Sequence, residues 1–374
     1  MRILHIDPDD IDRPDSGGGP IRTFEIYRRL SSRHEICVLT PTFDGSTDMI
    51  IRDGILYKRL GKKIGDHKTT PHLTFYALLP FYLMRFQKYF DIIVEDFTPP
   101  FGATYLPLFF KKPFIASVQW ASTNDLAKQF KLPLNLFEQI LLRLYKNFIV
   151  LTDDMKVKIS RKIKNSRILC NPNGVASENF YSYKPILKKD YILYLGRIDI
   201  RQKGLDLLLD AFSIIYKKTS VYLVISGGEM QLDELRSLVV KKGIEKRVLL
   251  TGKVEKETKY RLLSNCLFMA IPSRSETFCM AATEAFAAGK TVIAFDIDNL
   301  RQVARSTHSV LVKPFDVKSY AQGLQYLINN TEERQGLEER AFKFVQKFDW
   351  NKVAIEQEKF YLKIGSENCK ASSV

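Results

Sequence analysis

The stretch from Pro272 to Asp296, PSRSETFCMAATEAFAAGKTVIAFD, decides the fold. It begins where LFMAIPS reads as the end of a strand. A loop follows, then a helix of small residues, MAATEAFAAG, then a second buried strand, TVIAF. Glu276 falls in the loop, and Glu284 lies about two helical turns further on, with seven residues between them. The first amides of that helix, with the positive end of its dipole, face the same loop and suit an anion such as a phosphate. Carboxylates accept hydrogen bonds from vicinal hydroxyls, so two of them beside a phosphate-binding helix start suit a nucleotide-sugar. Two surface glutamates flanking a core helix are the alternative that the spacing alone leaves open.

The flanking residues resemble the signature of retaining glycosyltransferases of family 4 (glycosyl transferases group 1). That signature runs P-S, two residues, E-G-F-G, three or four residues to L-E-A, then a G-x-P-V-I-A strand. Pro272, Ser273, Glu276, Phe278, Glu284, Ala285, Gly289 and Val292 to Ala294 match it. Thr277 and Cys279 stand where the family usually has glycine, and Lys290 where it often has proline. The resemblance implies that Glu276 holds hexose hydroxyls and Glu284 the ribose. It also implies that the amides of Phe278, Cys279, Met280 and Ala281 line the donor phosphates, and that Thr277 lies against the donor.

Away from this stretch, short apolar runs alternate with amphipathic ones, the pattern of parallel α/β layers. Strands are predicted at RILHI, HEICVLT, DIIVE, FIASV, NFIVL and SRILC, and helices near 21–30, 73–89, 134–146 and 155–164. A break at Asn179 to Asp190 precedes a second series, YILYLGR, VYLVISGG, RVLLTG, LFMAIPS, TVIAF and SVLVK. At 374 residues the chain can bury two cores. The expected organisation is a first domain over 1–180 on the acceptor side, and a nucleotide-sugar-binding domain over 190–348. A terminal helix over 349–364 then crosses back to the first, with a disordered tail after Lys363. The resemblance implies the GT-B fold, two doubly wound Rossmann-like domains facing across a cleft. Ligands of open α/β sheets bind beyond the carboxyl ends of the strands.

Tyr194 to Phe212, YLGRIDIRQKGLDLLLDAF, ends a strand and opens a helix near Gly204. In the family, the arginine and lysine of G-R…K-G bind the donor diphosphate, a role that falls here to Arg197 and Lys203. Cations suit that task because the leaving diphosphate gains negative charge. One extra residue separates them compared with the commonest spacing. Ser16 to Leu30 carries Gly17, Gly18 and Gly19 ahead of Pro20, read as the first helical residue. In the family this loop touches the donor, which implicates Gly18 and Gly19. Lys253 and Val254 match positions that flank the nucleotide base. Gln119 occupies the position of a histidine that in many members contacts the hexose. An amide donates and accepts hydrogen bonds but takes no proton at useful pH, so Gln119 is assigned to positioning the sugar. Retention is then pictured as a front-face process with the donor phosphate taking the acceptor proton. Glu95 and Asp96 are read either as acceptor-orienting or as structural. Asn171 to Val175 is read as a structural turn, and Ser226 to Glu229 either as a loop near the site or as a turn that Gly227 and Gly228 serve.

The net charge of +15 suits nucleic acid or anionic lipid, but no nucleic-acid-binding signature accompanies it. His72 to Phe90 is apolar and aromatic, and Lys156 to Arg167 is strongly basic. Together they suggest a carbohydrate or lipid-linked acceptor at an anionic membrane surface, against the plainer reading of a core segment and a solvated helix face. Five scattered cysteines and a start that runs straight into a strand suggest the cytoplasm, with the inner face of a membrane as the alternative seat. The five histidines show no ligand spacing, and Asp7, Asp9 and Asp10 sit in the first strand's loop, so no metal and no cofactor are expected. Two other classes remain in view: a nucleotide-sugar-binding subunit with impaired catalysis, and a GT-B epimerase or phosphorylase.

Overall fold

The computed structural model describes residues 1–13, 16–62, 70–98, 104–119, 134–176, 183–185, 187–228, 231–298 and 300–371. The chain divides into two compact units, Met1–Asn173 with Trp350–Val374, and Gly174–Asp349. Residues 179–182 and 186 of the break predicted at 179–190 lie outside the described residues.

The first unit is built on an eight-stranded sheet. Its strands are β1 (Arg2–Ile6), β2 (Glu35–Pro41), β3 (Met49–Arg52), β4 (Ile55–Leu60), β5 (Ile92–Phe97), β6 (Phe114–Val118), β7 (Asn147–Val150) and β8 (Arg167–Cys170). They lie in the order β3-β4-β2-β1-β5-β6-β7-β8, so the winding reverses between β1 and β5. All neighbours are parallel except β3 and β4. That hairpin is absent from the expectations above. Its turn is Asp53-Gly54, with φ of 46° and 77°, and Asp-Gly between two apolar runs is a strong two-residue hairpin signal. The helices are α1 (Gly18–Leu30), α2 (Thr70–Phe86), α3 (Leu134–Leu142) and α4 (Asp153–Lys162). Helix α1 starts at Gly18, so Pro20 is not its first residue. It still lies in the first turn, where its missing N–H leaves no bond unmade. Thr152 caps α4 through the Met155 amide, 3.3 Å away.

The second unit holds a six-stranded, wholly parallel sheet in the order β11-β10-β9-β12-β13-β14. These strands are β9 (Tyr191–Leu195), β10 (Tyr222–Ser226), β11 (Val248–Gly252), β12 (Phe268–Ile271), β13 (Val292–Phe295) and β14 (Val310–Val312). Helices α5 (Leu205–Ile215), α6 (Leu232–Lys241), α7 (Lys256–Asn265) and α8 (Met280–Ala287) follow β9 to β12 in turn, and α9 (Val317–Asn329) and α10 (Thr331–Val345) follow β14. Strands β12 and β13 are buried along their whole length. Central strands covered on both faces read as continuous apolar runs, as LFMAI and TVIAF do. Here the winding reverses between β9 and β12, and ligand sites of open α/β sheets form at such a point.

The last helix, α11 (Trp350–Ala371), belongs to the first unit. It continues past Lys363, where a disordered tail was expected. Tyr361 and Ile364 are buried on its inner face, and Arg167 pairs with Glu367 at 2.5 Å on its continuation. Facing α1, it receives hydrogen bonds from Arg29 to Asn351 (3.0 Å), and from Arg33 (2.9 and 2.8 Å) and His34 (2.6 Å) to Glu358.

Candidate functional site

The residues singled out in the sequence fall into two groups, one in each unit. In the second unit they collect at the carboxyl ends of β9, β10, β11 and β12. Two glycines let the loops after β9, β10 and β12 approach. A Cβ on Gly204, where φ is 66°, would collide with the Pro272 carbonyl, and one on Gly227 would collide with that of Gly196. Arg274 then locks the β9 and β12 loops together. Its guanidinium grips Asp206 with two bonds (2.8 and 2.7 Å) and reaches the Arg201 carbonyl at 2.7 Å, while its amide donates to the Gln202 carbonyl. Paired in this way, the Asp206 carboxyl titrates below its ordinary range.

Within this frame Lys203 Nζ meets Glu276 Oε1 at 2.7 Å, and the hydroxyl of buried Ser273 donates to the same oxygen at 2.7 Å. Among the described residues nothing bonds Oε2, which leaves an acceptor oxygen beside a cation. Arg197 is exposed on the same loop, whose turn is fixed by Tyr194 Oη donating to the Arg197 carbonyl (2.7 Å). Glu284 is held by Lys259 of α7 at 2.5 Å rather than by Lys203. Lys253 and Val254 follow β11 just past Gly252, whose φ is 70°.

The two positions where glycine is the family habit part ways. Thr277 is not among the positive-φ residues. Cys279 precedes α8 with φ 57° and ψ 71°, a left-handed conformation that suits glycine and strains a side chain. Phe278 anchors the turn by packing edge-on against Phe348, with ring centroids 5.6 Å apart. The strained turn aims the amides of Met280 and Ala281 outward from the helix start. Burial and the neighbouring Glu276 charge push the Cys279 thiol far above its ordinary range.

The first unit brings together Gly19, Asp96 and Gln119. A Cβ on Gly19 would stand 3.3 Å from Gln119 Oε1. Gln119 Nε2 donates to Asp96 Oδ2 at 2.6 Å, and His5 Nε2 lies 3.2 Å from Asp96 Oδ1. Glu95 points elsewhere: Tyr145 (2.6 Å) and Thr104 (3.0 Å) donate to its Oε2. Complete burial raises the Glu95 carboxyl to about 7. Of the two carboxylates left open in the sequence, Glu95 is therefore structural and Asp96 holds Gln119. The segment 120–125 and residues 99–102 lie outside the described residues, as does Glu229.

The aspartates after β1 are consumed by local structure. Arg59 holds Asp10 (2.8 and 3.2 Å) and Asp12 (2.8 Å), and Thr40 donates to Asp10 at 2.6 Å. His5, Asp7 and Asp96, distant in sequence, offer ligand atoms within 4.8 Å of one another. Each is already engaged: Asp7 accepts from Thr23 (3.0 Å) and the Asp9 amide (2.9 Å), and His5 and Asp96 face each other. Burial and the Asp96 charge raise the Asp7 carboxyl well above its ordinary range.

Sequence reasoning matched Ser273 to the signature without giving it a role, and assigned no role to Arg274, Asp206, Lys259 or His5. Ser273 and Arg274 stand in the quoted stretch, but their partners come from other loops that no spacing announces. Asn171 and Asn173 are buried, bonded to Val353 and Gln357 and to Arg22 respectively, in keeping with a structural turn.

Residues 177–344 match the family model described as Glycosyl transferases group 1. An uncharacterised glycosyltransferase of Methanocaldococcus jannaschii is 29% identical over 232 residues, 59% of this chain and 62% of that protein. A phosphatidyl-myo-inositol mannosyltransferase of Mycobacterium tuberculosis is 25% identical over 270 residues, 69% of each. The chain spans 41–62% of the length of the first three curated relatives it matches. Among solved structures, sucrose-phosphate synthase from Thermosynechococcus elongatus superposes with a TM-score of 0.81 at 20% identity, covering 98% of this chain and 100% of that one. Anabaena HepE in complex with UDP and glucose gives 0.75 at 16% identity, covering 96% and 98%. The fold is GT-B.

Proposed function

We propose that this chain is a retaining glycosyltransferase that moves a hexose from a nucleoside diphosphate donor to an acceptor hydroxyl. The observation that carries this reading is the Lys203–Glu276–Ser273 cluster at the start of α8. It sets a cation for a diphosphate and a carboxyl acceptor for hexose hydroxyls against helix amides that suit phosphate oxygens. The likeness of residues 177–344 to group 1 transferases supports the reading, as does a structural neighbour in complex with UDP and glucose.

On this reading Lys203, Arg197 and the amides of Phe278 to Ala281 stabilise the charge that collects on the leaving diphosphate. Lys253 and Val254 flank the base, Glu284 holds the ribose, and Gly18, Gly19 and Gln119 orient the sugar. Gln119 takes no proton. The acceptor O–H proton passes to a donor phosphate oxygen as the anomeric C–O bond to phosphate breaks and the new one forms on the same face. The protein's own cations supply the positive charge, and the reaction runs without a metal or a cofactor.

For the acceptor we propose a carbohydrate or a lipid-linked sugar at an anionic membrane surface. Helix α2 supports this. Phe75, Leu79 and Leu83 face the core, yet Leu73, Leu78, Phe81 and Met84 are 45–65% exposed on its outer side. It carries no acidic residue, and Arg85 and Lys88 mark its end. No helix among the described residues is long and apolar enough to cross a membrane. The basic α4 buries Met155 and Ile159 and turns its lysines to solvent. Each cation near an anionic surface contributes about 1 kcal/mol.

A thermal-shift screen with UDP-, GDP-, ADP- and TDP-hexoses tests the donor site, with transfer to sugar acceptors measured alongside. A shift with one donor, together with turnover that survives EDTA, is expected. No shift with any of them defeats the donor reading. A shift without turnover points to a binding subunit instead.

A further inference from the structure

Resting on the reading of Gln119 as the residue that orients the donor sugar, we infer that its amide presents only its carbonyl oxygen and recognises a sugar hydroxyl as a hydrogen-bond donor. A one-way chain of hydrogen bonds, anchored on α1 and α11, enforces that orientation.

The chain begins at a group that can only donate. Arg22 Nη2 and Asn171 Nδ2 both bond Gln357 Oε1 at 3.0 Å, so the Gln357 amide must turn its NH₂ the other way. That NH₂ donates to Tyr361 Oη at 2.6 Å. The Tyr361 hydroxyl, now an acceptor, sends its own proton to Tyr27 Oη, 3.1 Å away. Tyr27 in turn donates to His5 Nδ1 at 2.8 Å. An Nδ1 that accepts leaves the imidazole proton on Nε2, which faces Asp96 Oδ1 at 3.2 Å. The other Asp96 oxygen takes Gln119 Nε2 at 2.6 Å.

Each link fixes the next, because beyond Gln357 every interior member has one partner on each side. Running the chain the other way puts a donor on both sides of the Tyr27 hydroxyl and strands a buried proton. Asp96, as a carboxylate, accepts only, so Gln119 must offer it the NH₂ and keep Oε1 for the ligand. Asp7 lies beside the pair and bonds Thr23 and the Asp9 amide instead. Gln357, Tyr361, Tyr27, His5 and Asp96 are thus positioning residues. They explain how an amide can orient a sugar with a defined polarity rather than turning over at will.

The direct test needs no ligand. Nitrogen-15 NMR of the full chain labelled at histidine, with His5→Asn for assignment, reads the His5 tautomer at pH 7.5. The expected state is a neutral ring protonated on Nε2. A ring protonated on Nδ1 overturns the inference. Gln357→Glu supplies a second readout. Held ionised beside Arg22, the new carboxylate accepts from Tyr361, reverses the chain and forces a proton onto His5 Nδ1, so the ring becomes imidazolium. A His5 spectrum identical to wild type refutes the coupling. If that variant does not fold, the wild-type spectrum decides alone.

The ligand arm uses the hexose nucleotide that gives a thermal shift, with its monodeoxy and monofluoro analogues. Fluorine accepts but cannot donate, so at one sugar position both analogues should lose roughly tenfold in kcat/KM. Asp96→Asn lets the amide turn over and should rescue the fluoro donor but not the deoxy one. Retention of the fluoro donor by wild type, with loss of the deoxy one, overturns the inference. If no nucleotide-sugar binds, the functional reading fails while the NMR result still decides the amide's orientation.

Discussion

Replacing Glu95 with glutamine should make the protein more tolerant of alkali. Glu95 is wholly buried on β5, with both donors on Oε2 and no partner for Oε1 among the described residues. Burial raises its carboxyl to about 7, from an ordinary 4.5. The folded protein therefore holds a proton that the unfolded chain releases at lower pH. The resulting stability is fully present below pH 4.5 and is lost as pH rises through 7. At about 1.4 kcal/mol for each tenfold in proton affinity, the loss approaches about 3 kcal/mol above pH 8. Glutamine copies the neutral acid, keeps an oxygen for Tyr145 and Thr104, and does not ionise. Urea denaturation of both proteins from pH 5 to 8.5 measures the difference. The Glu95→Gln minus wild-type stability should be about 1 kcal/mol at pH 5 and rise to about 3 kcal/mol at pH 8.5. Other raised groups, Asp7 among them, are common to both proteins and cancel. Parallel curves across the range would refute the reasoning.

Other expectations concern the second unit. Lys203→Ala should lower kcat ten- to a hundredfold, the rate equivalent of a charge-assisted contact worth about 1.5–3 kcal/mol. Glu284→Ala should instead raise donor KM more than it lowers kcat; unchanged steady-state kinetics in both would remove these residues from the site. Gly204→Ala should lose at least about 2 kcal/mol in thermal denaturation, because its Cβ has the Pro272 carbonyl in its place. Gly228→Ala, with open space around it, should stay within about 0.5 kcal/mol. At Cys279, glycine should be close to neutral, since relief of about 1–2 kcal/mol of backbone strain is offset by glycine's freedom in the unfolded chain. The Cys279 thiol should also resist iodoacetamide at pH 8 in the native state, and rapid labelling of its peptide by mass spectrometry would contradict the burial argument.

The fold was legible because its signals are local. Strands such as YILYL and VIAF are unbroken apolar runs between glycines and charges, and the helices between them show their period. The β3–β4 hairpin escaped although Asp53-Gly54 announces it, because Met49, Ile50 and Ile51 form an exposed edge with no clean alternation. The tail after Lys363 reads as polar, and that composition hides the inward Ile364 and the pairing of Glu367 with Arg167. At the site, the sequence supplied residue identities but not pairings. Glu276 with Lys203 was foreseeable as a neighbourhood, whereas Glu284 with Lys259 was not, since the partner rides on a helix whose register only the packed fold determines. The histidine spacing likewise said nothing about His5, which meets Asp96 across adjacent parallel strands 91 residues apart.

The last helix carries a further consequence, for the order in which the molecule is made. The first unit is begun by residue 1 but lacks α11 until residues 350–371 emerge, while the second unit is contiguous. At about 5–20 residues per second, synthesis of the intervening segment takes on the order of ten to thirty seconds. During that interval the outer flank of α1, with the Arg22 guanidinium and the Tyr27 hydroxyl, has no Gln357 or Tyr361 to meet. The unit that starts first is therefore completed last, and a nascent chain stalled before residue 350 should display a finished second unit beside an eight-stranded sheet still open along one helix. Limited proteolysis of ribosome-bound chains of graded length would reveal that asymmetry as late protection of the N-terminal half.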